Sequence, residues 1–204
     1  MVDRLCDQTR RQSTSVTCFY FDFAARKEQS ATSMLGSLLK QMVSRMERIP
    51  EEIWQAFQEQ KKAVSGCGPQ LADVVEMLQL ITSSQSTFMV IDAFDECTAL
   101  QRFRLMNSLE QILQKSPSTR VFVTGRPYIR SEIEQRLPGR AISVSVAPRE
   151  ADIITYLRVR LSEDETPDAM DASLEADILD KIPENISEMC VGSMMLTISS
   201  HIVS

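Results

Sequence analysis

At 204 residues and 23.0 kDa, with 43% apolar residues, the chain suits one domain with its own core, or one domain plus a fragment of a second. Its net charge of −6, with scattered Lys and Arg and no basic run longer than a doublet such as Arg10–Arg11 or Lys61–Lys62, argues against nucleic acid as a partner. Five widely spaced cysteines without a CxxC pattern fit a reducing, cytoplasmic setting, and no apolar run nears the roughly 20 residues that span a bilayer.

The first predicted strand is VTCFYFDF (16–23), β-branched and aromatic and closed by polar residues. SATSMLGSLLKQMVSRM follows, with Met34, Leu35, Leu38, Leu39, Met42, Val43 and Met46 at helical spacing and Ser30 placed to cap; this methionine-rich stripe reads as core. Pro50, Glu51 and Glu52 open a second helix, predicted to bury Ile53, Trp54 and Phe57. SGCGP (65–69) breaks it. A third helix carries Leu71, Val74, Val75, Leu78 and Ile81.

The strand STFMVIDAFDEC (86–97) is an unbroken apolar run that ends on three acids, Asp92, Asp95 and Glu96. Thr98 then caps a predicted helix bearing Leu100, Phe103, Met106, Leu109, Ile112 and Leu113. After it come the strand RVFVTG (120–125), a short helix through Ile133 and Leu137, a Pro-Gly turn and the strand AISVSV (141–146). Strands alternating with helices, two of them almost continuously apolar, predict an α/β fold with a parallel, doubly wound sheet covered on both faces.

Past residue 147 the strand pattern stops: READIITYLRVRL, LEADILDKI and EMCVGSMMLTISSHIV all read as helical, joined by the acidic connector SEDETPDAMDAS. Two units follow from this change, an α/β core at 1–147 and the start of a helical domain at 148–204. His201 is the sole histidine and sits by the C-terminus, so a histidine-based triad has no good candidate.

Ligands of parallel α/β sheets gather at the carboxyl ends of the strands. Those positions hold Asp22, then Asp92, Asp95 and Glu96, then Thr124 and Arg126. A carboxylate closing an apolar run is costly to bury without a cation or hydrogen bonds. Magnesium, bound through one or two carboxylates with water and phosphate oxygens, is the natural counter-charge. A second acid could orient a water, and an arginine could neutralise a phosphoryl group. The plainer alternatives are a turn-capping role for Asp92, an ion pair between Arg126 and a strand-end acid, and a structural role for Asp22.

FMVIDAFDEC strongly resembles the Walker B segment of NACHT-type NTPases, the STAND class of P-loop ATPases and GTPases, and above all the nephrocystin-like branch of large fungal multidomain receptors. CFYFDFAARKEQSATSMLGSLLKQMV is similar to that family's second strand and following helix, RVFVTGRP to its sensor strand, and DIITYLRVRL to the first helix after the nucleotide domain. The likeness spans about residues 2 to 200 in matching order. It implies a three-layer P-loop NTPase-like sandwich, with Asp92 on the magnesium side, Asp95 and Glu96 orienting water, and Arg126, beside Thr124, contacting the terminal phosphate. Gly125 stands where the family usually has serine.

One departure outweighs the others. The phosphate-cradling GxxxxGK[ST] is absent, for none of Gly36, Gly66, Gly68, Gly125, Gly139 and Gly192 precedes Lys-Ser or Lys-Thr. MVDRLCDQTRR resembles the tail of the helix that follows that loop, so the chain reads as starting just after it, by a start at an internal methionine rather than as a degenerate paralogue or as a fragment completed from elsewhere. The resemblance puts the missing strand between RVFVTG and AISVSV, which predicts a gap with two unpaired edges.

The expected function is thus a fragment of a nucleotide-regulated signalling switch, using Mg2+ and ATP or GTP in the intact family and binding neither by itself. A non-catalytic degenerate domain acting through protein partners or self-association is the alternative, and a metal-dependent phosphohydrolase built on Asp92, Asp95 and Glu96 is a distant third.

Overall fold

A computed structural model describes residues 2–9, 14–25, 28–62, 68–146, 149–163, 171–189 and 193–199. His201, Cys67, Cys190, most of the acidic connector and most of the Gly-rich break lie outside them.

The described elements run α1 (Val2–Thr9), β1 (Thr14–Tyr20), α2 (Ala31–Val43), α3 (Glu51–Lys62), α4 (Leu71–Ser84), β2 (Ser86–Asp92), α5 (Ala99–Lys115), β3 (Thr119–Gly125), α6 (Arg130–Arg136), β4 (Ala141–Val146), α7 (Glu150–Ser162), α8 (Ala172–Met189) and β5 (Ser193–Ser199). The fold is α/β, as the alternation predicts. β1, β2 and β3 pair in parallel, with Tyr20 opposite Asp92 and Ile91 opposite Val123. β1 starts and stops earlier than its composition suggests. Phe21 still donates to the Asp92 carbonyl at 3.2 Å, but Asp22 Oδ1 accepts from the Ala24 amide at 2.8 Å and turns the chain away. Asp22 is thus engaged in the turn itself.

Local rules set the helix starts. Ser30 caps α2 by accepting from the Ser33 amide at 3.1 Å, and Thr98 caps α5 through the Gln101 amide at 3.4 Å. At α4 the Asp73 carboxylate reaches back to accept from the Gln70 amide at 3.1 Å. The faces behind these caps build one core against the sheet: Met34, Leu35, Leu38 and Met42 from α2, Leu78 and Ile81 from α4, Leu105, Leu109 and Ile112 from α5, meeting Met89, Ile91, Val121 and Val123. Each such side chain contributes about 1.5–3 kcal/mol relative to exposure. The methionine stripe is core. The opposite face of the sheet is covered less completely, and the half-buried Phe88 and Phe122 rings meet there 5.9 Å apart.

Four apolar side chains depart from the predicted faces. Trp54 and Phe57 on α3 are 46% and 50% exposed, with only Ile53 buried among the described side chains of that helix. On α5, Leu100 and Phe103 lie toward solvent. Phe103 is covered by the Arg136 guanidinium, 4.2 Å from its ring centre, in a cation–π contact that ties α5 to α6. Arg102 strengthens that tie through Glu132 at 3.0 Å.

The largest correction concerns the C-terminal segment. EMCVGSMMLTISSHIV reads as helical, yet Ser193–Ser199 forms β5, and α8 runs on to Met189 through Pro183. The sheet order is β1-β2-β3-β5-β4, with β5 antiparallel to both neighbours. β3 and β4 therefore run in the same direction, one strand apart, and β5 fills the space between them. The predicted gap is closed by the chain itself, because two adjacent unpaired edges would leave two rows of backbone donors and acceptors unmet.

Candidate functional site

The site grows from the C-terminal end of β2. Met89, Val90 and Ile91 are buried, so the strand emerges rigidly and delivers Asp92 to its half-buried end. The next residue, Ala93, has φ 54° and ψ 43° and is, among the described residues, the one non-glycine with positive φ. An alanine there costs about 1–2 kcal/mol and persists only where its surroundings impose it. Thr124, at the end of β3, imposes it: its hydroxyl accepts from the Ala93 amide at 3.0 Å and donates to Asp92 Oδ1. A single hydroxyl thereby fixes both the carboxylate and the bend. Asp92 Oδ2 takes no hydrogen bond from any described residue.

A 3-10 turn, Phe94–Glu96, comes next, anchored by the fully buried Phe94. It points Asp95 at the end of β3. Asp95 Oδ1 accepts from the Arg126 amide at 3.2 Å, and Oδ2 lies 3.3 Å from Arg126 Nε. Glu96 Oε1 stands 3.7 Å from Arg126 Nη2. The Asp95 side chain is 7% exposed, whereas that of Arg126 is 71% exposed. The arginine is thus free to swing outward while the acid is held in place. Tyr128, a residue not singled out in the sequence, donates from its hydroxyl to the Asp95 carbonyl at 3.1 Å. An aromatic just past the Arg-Pro step was the only local signal for it.

Gly125 has a steric reason to be glycine. A Cβ there would meet Ile129 Cδ1 at 2.5 Å and Asp95 Oδ1 at 3.1 Å. Gly125→Ala should therefore destabilise by about 1 kcal/mol, the low end of overpacking costs, because the nearest atom ends a flexible side chain. Denaturant unfolding of Gly125→Ala, Ile129→Val and the double variant checks this. The double variant should lose less than the sum of the two, and strict additivity would refute the contact.

The structure brings together all five sequence-selected residues, Asp92, Asp95, Glu96, Thr124 and Arg126, at two neighbouring strand ends, and it leaves Asp22 in its own turn. Among the described residues no three His, Cys, Asp or Glu side chains converge as a metal cage. Asp92 offers an open carboxylate oxygen at the strand end, which fits a cation held by one or two protein ligands with water and phosphate oxygens, not a fully protein-bound ion. The nearby Tyr20 phenol is pushed above its ordinary range, first by partial desolvation, then by Cys18, with negative charge on Asp92 and Asp3 adding to it.

A family model described as Nephrocystin 3, N-terminal matches residues 1–126, from α1 through the end of β3 to Arg126. No curated protein and no solved structure matches the chain.

Proposed function

The chain belongs to the nephrocystin 3 N-terminal family, and on that premise we propose that it is part of a NACHT-type nucleotide-regulated signalling switch whose magnesium and water side lies at Asp92, Asp95, Glu96, Thr124 and Arg126. The observation that carries this is the strained Asp92–Ala93 bend, locked by Thr124 so that one carboxylate oxygen stays open at the end of a buried strand. Backbone strain held by a cross-strand hydroxyl is the kind of feature that concentrates at functional sites. Asp92 would hold Mg2+, which supplies charge neutralisation for phosphate oxygens. Arg126, mostly in solvent, would leave Asp95 and Glu96 to meet a terminal phosphate, freeing those two acids toward water.

Without GxxxxGK[ST] in the sequence, no ring of backbone amides holds the phosphates, so affinity should be weak, with a dissociation constant on the order of 1 mM or higher. The test is hydrogen–deuterium exchange of the purified chain with and without millimolar Mg·ATP or Mg·GTP. Protection is expected at 91–97 and 124–129 and should vanish in Asp92→Ala. Protection elsewhere only, or protection that survives Asp92→Ala, would overturn the reading.

A second reading rests on one observation: both Asp95 carboxylate oxygens are already engaged by Arg126. Such internal satisfaction suits a degenerate domain retained as a protein interaction module, and absence of nucleotide protection at either segment would favour it.

A further inference from the structure

The exposed face of α3 is separate from the strand-end site. Trp54 and Phe57 lie near each other with ring centres 6.1 Å apart, and both are about half exposed. Together with Leu39, Val43, Ile49 and Met77 they line an apolar groove of about 490 Å³ between α2 and α4. Lys40 stands on its α2 wall. On the other flank of α3 a second groove, of about 530 Å³, is lined among the described residues by Glu52, Glu59, Asp73 and Glu76 beside Ile53, Ala56, Met77 and Leu80. Ile53 and Met77 belong to both grooves, so the apolar and the acidic surface are continuous.

Adjacent exposed Trp and Phe side chains are the type that carries binding energy at interfaces, and an apolar trough between two helices is the seat of a third. The charge pattern selects the occupant. Four carboxylates repel nucleic acid and anionic lipid, and they would repel a second copy docked by the same face, since the chain as a whole carries −6. We infer that this surface binds an amphipathic helix of another protein, its apolar face on Trp54 and Phe57 and its basic flank over Glu52, Glu59, Asp73 and Glu76. Lys40 on the opposite wall fixes orientation by disfavouring a base on that side.

Trp54 is the only tryptophan, so its emission reports on this groove alone. The full chain is titrated with a synthetic Leu/Lys amphipathic helix and, separately, with its Leu/Glu counterpart. The Leu/Lys helix should shift Trp54 emission to the blue and saturate, while the Leu/Glu helix should not. Phe57→Glu should weaken binding by about tenfold or more, with its unfolding midpoint measured alongside to show that the chain stays folded. Glu52→Lys with Glu59→Lys should weaken it severalfold and flatten its salt dependence. No shift, equal shifts with both peptides, or Leu/Lys binding untouched by Phe57→Glu overturns the inference. So does concentration-dependent self-association in sedimentation that Phe57→Glu abolishes, because the groove then belongs to a second copy.

Discussion

Leu196→Pro is expected to be the most damaging single substitution in the chain, lowering stability by about 3 kcal/mol or more. Leu196 stands opposite Val123 on one side and Ser143 on the other, in the one strand that joins β3 to β4. In an interior strand every amide is directed at one neighbour or the other, so proline removes a ladder bond and its ring crowds the adjoining strand. The loss also propagates. β4 is hydrogen-bonded to the sheet only through β5, so loosening β5 releases both. Domains of this size are stable by about 5–15 kcal/mol, and a loss on that scale is a large part of the whole. Ser173→Pro serves as the control, since it falls in the first turn of α8, where a missing amide hydrogen costs little. Urea unfolding followed by circular dichroism reads both variants. If Leu196→Pro unfolds at the wild-type midpoint, β5 is not integral to the sheet.

β5 also shows where sequence reading stops. Met194, Met195 and Leu196 form a short apolar run that suits a helix or a strand equally, and Thr197 and Ile198 tip it only slightly toward a strand. What decides is the space between β3 and β4, a fact about chain segments far apart in sequence. The same holds for α3. Helical spacing correctly aligns Ile53, Trp54 and Phe57 on related faces, but it says nothing about whether neighbouring helices are near enough to cover them, and only Ile53 is covered. In contrast, the Ser30 and Thr98 caps, the bounds of β4 and the convergence of Asp92 with Thr124 were legible. They depend on local hydrogen bonding or on the rule that parallel strands bring their carboxyl ends together. An ion pair between Arg126 and a strand-end acid is legible as one alternative, but the bond from the Arg126 amide to Asp95, 31 residues away, has no local signal.

That pairing sets an asymmetry that separates architecture from function. Asp95→Ala should cost about 2 kcal/mol, because it leaves the Arg126 amide without its acceptor and opens a void beside Gly125. Arg126→Ala should cost less than about 1 kcal/mol: its guanidinium is largely in solvent, its ion pairs are screened, and its backbone amide still reaches Asp95. Asp95→Asn should fall between them, since it keeps the acceptor and loses the charge. If Arg126 serves a phosphate, it should behave the opposite way in binding. Arg126→Ala should then abolish nucleotide-dependent protection at 91–97 while barely moving the unfolding midpoint. Equal stability losses in Asp95→Ala and Arg126→Ala would mean that the ion pair, not the amide contact, holds the 3-10 turn to β3. An Arg126→Ala chain with both stability and nucleotide protection intact would remove the arginine from the site.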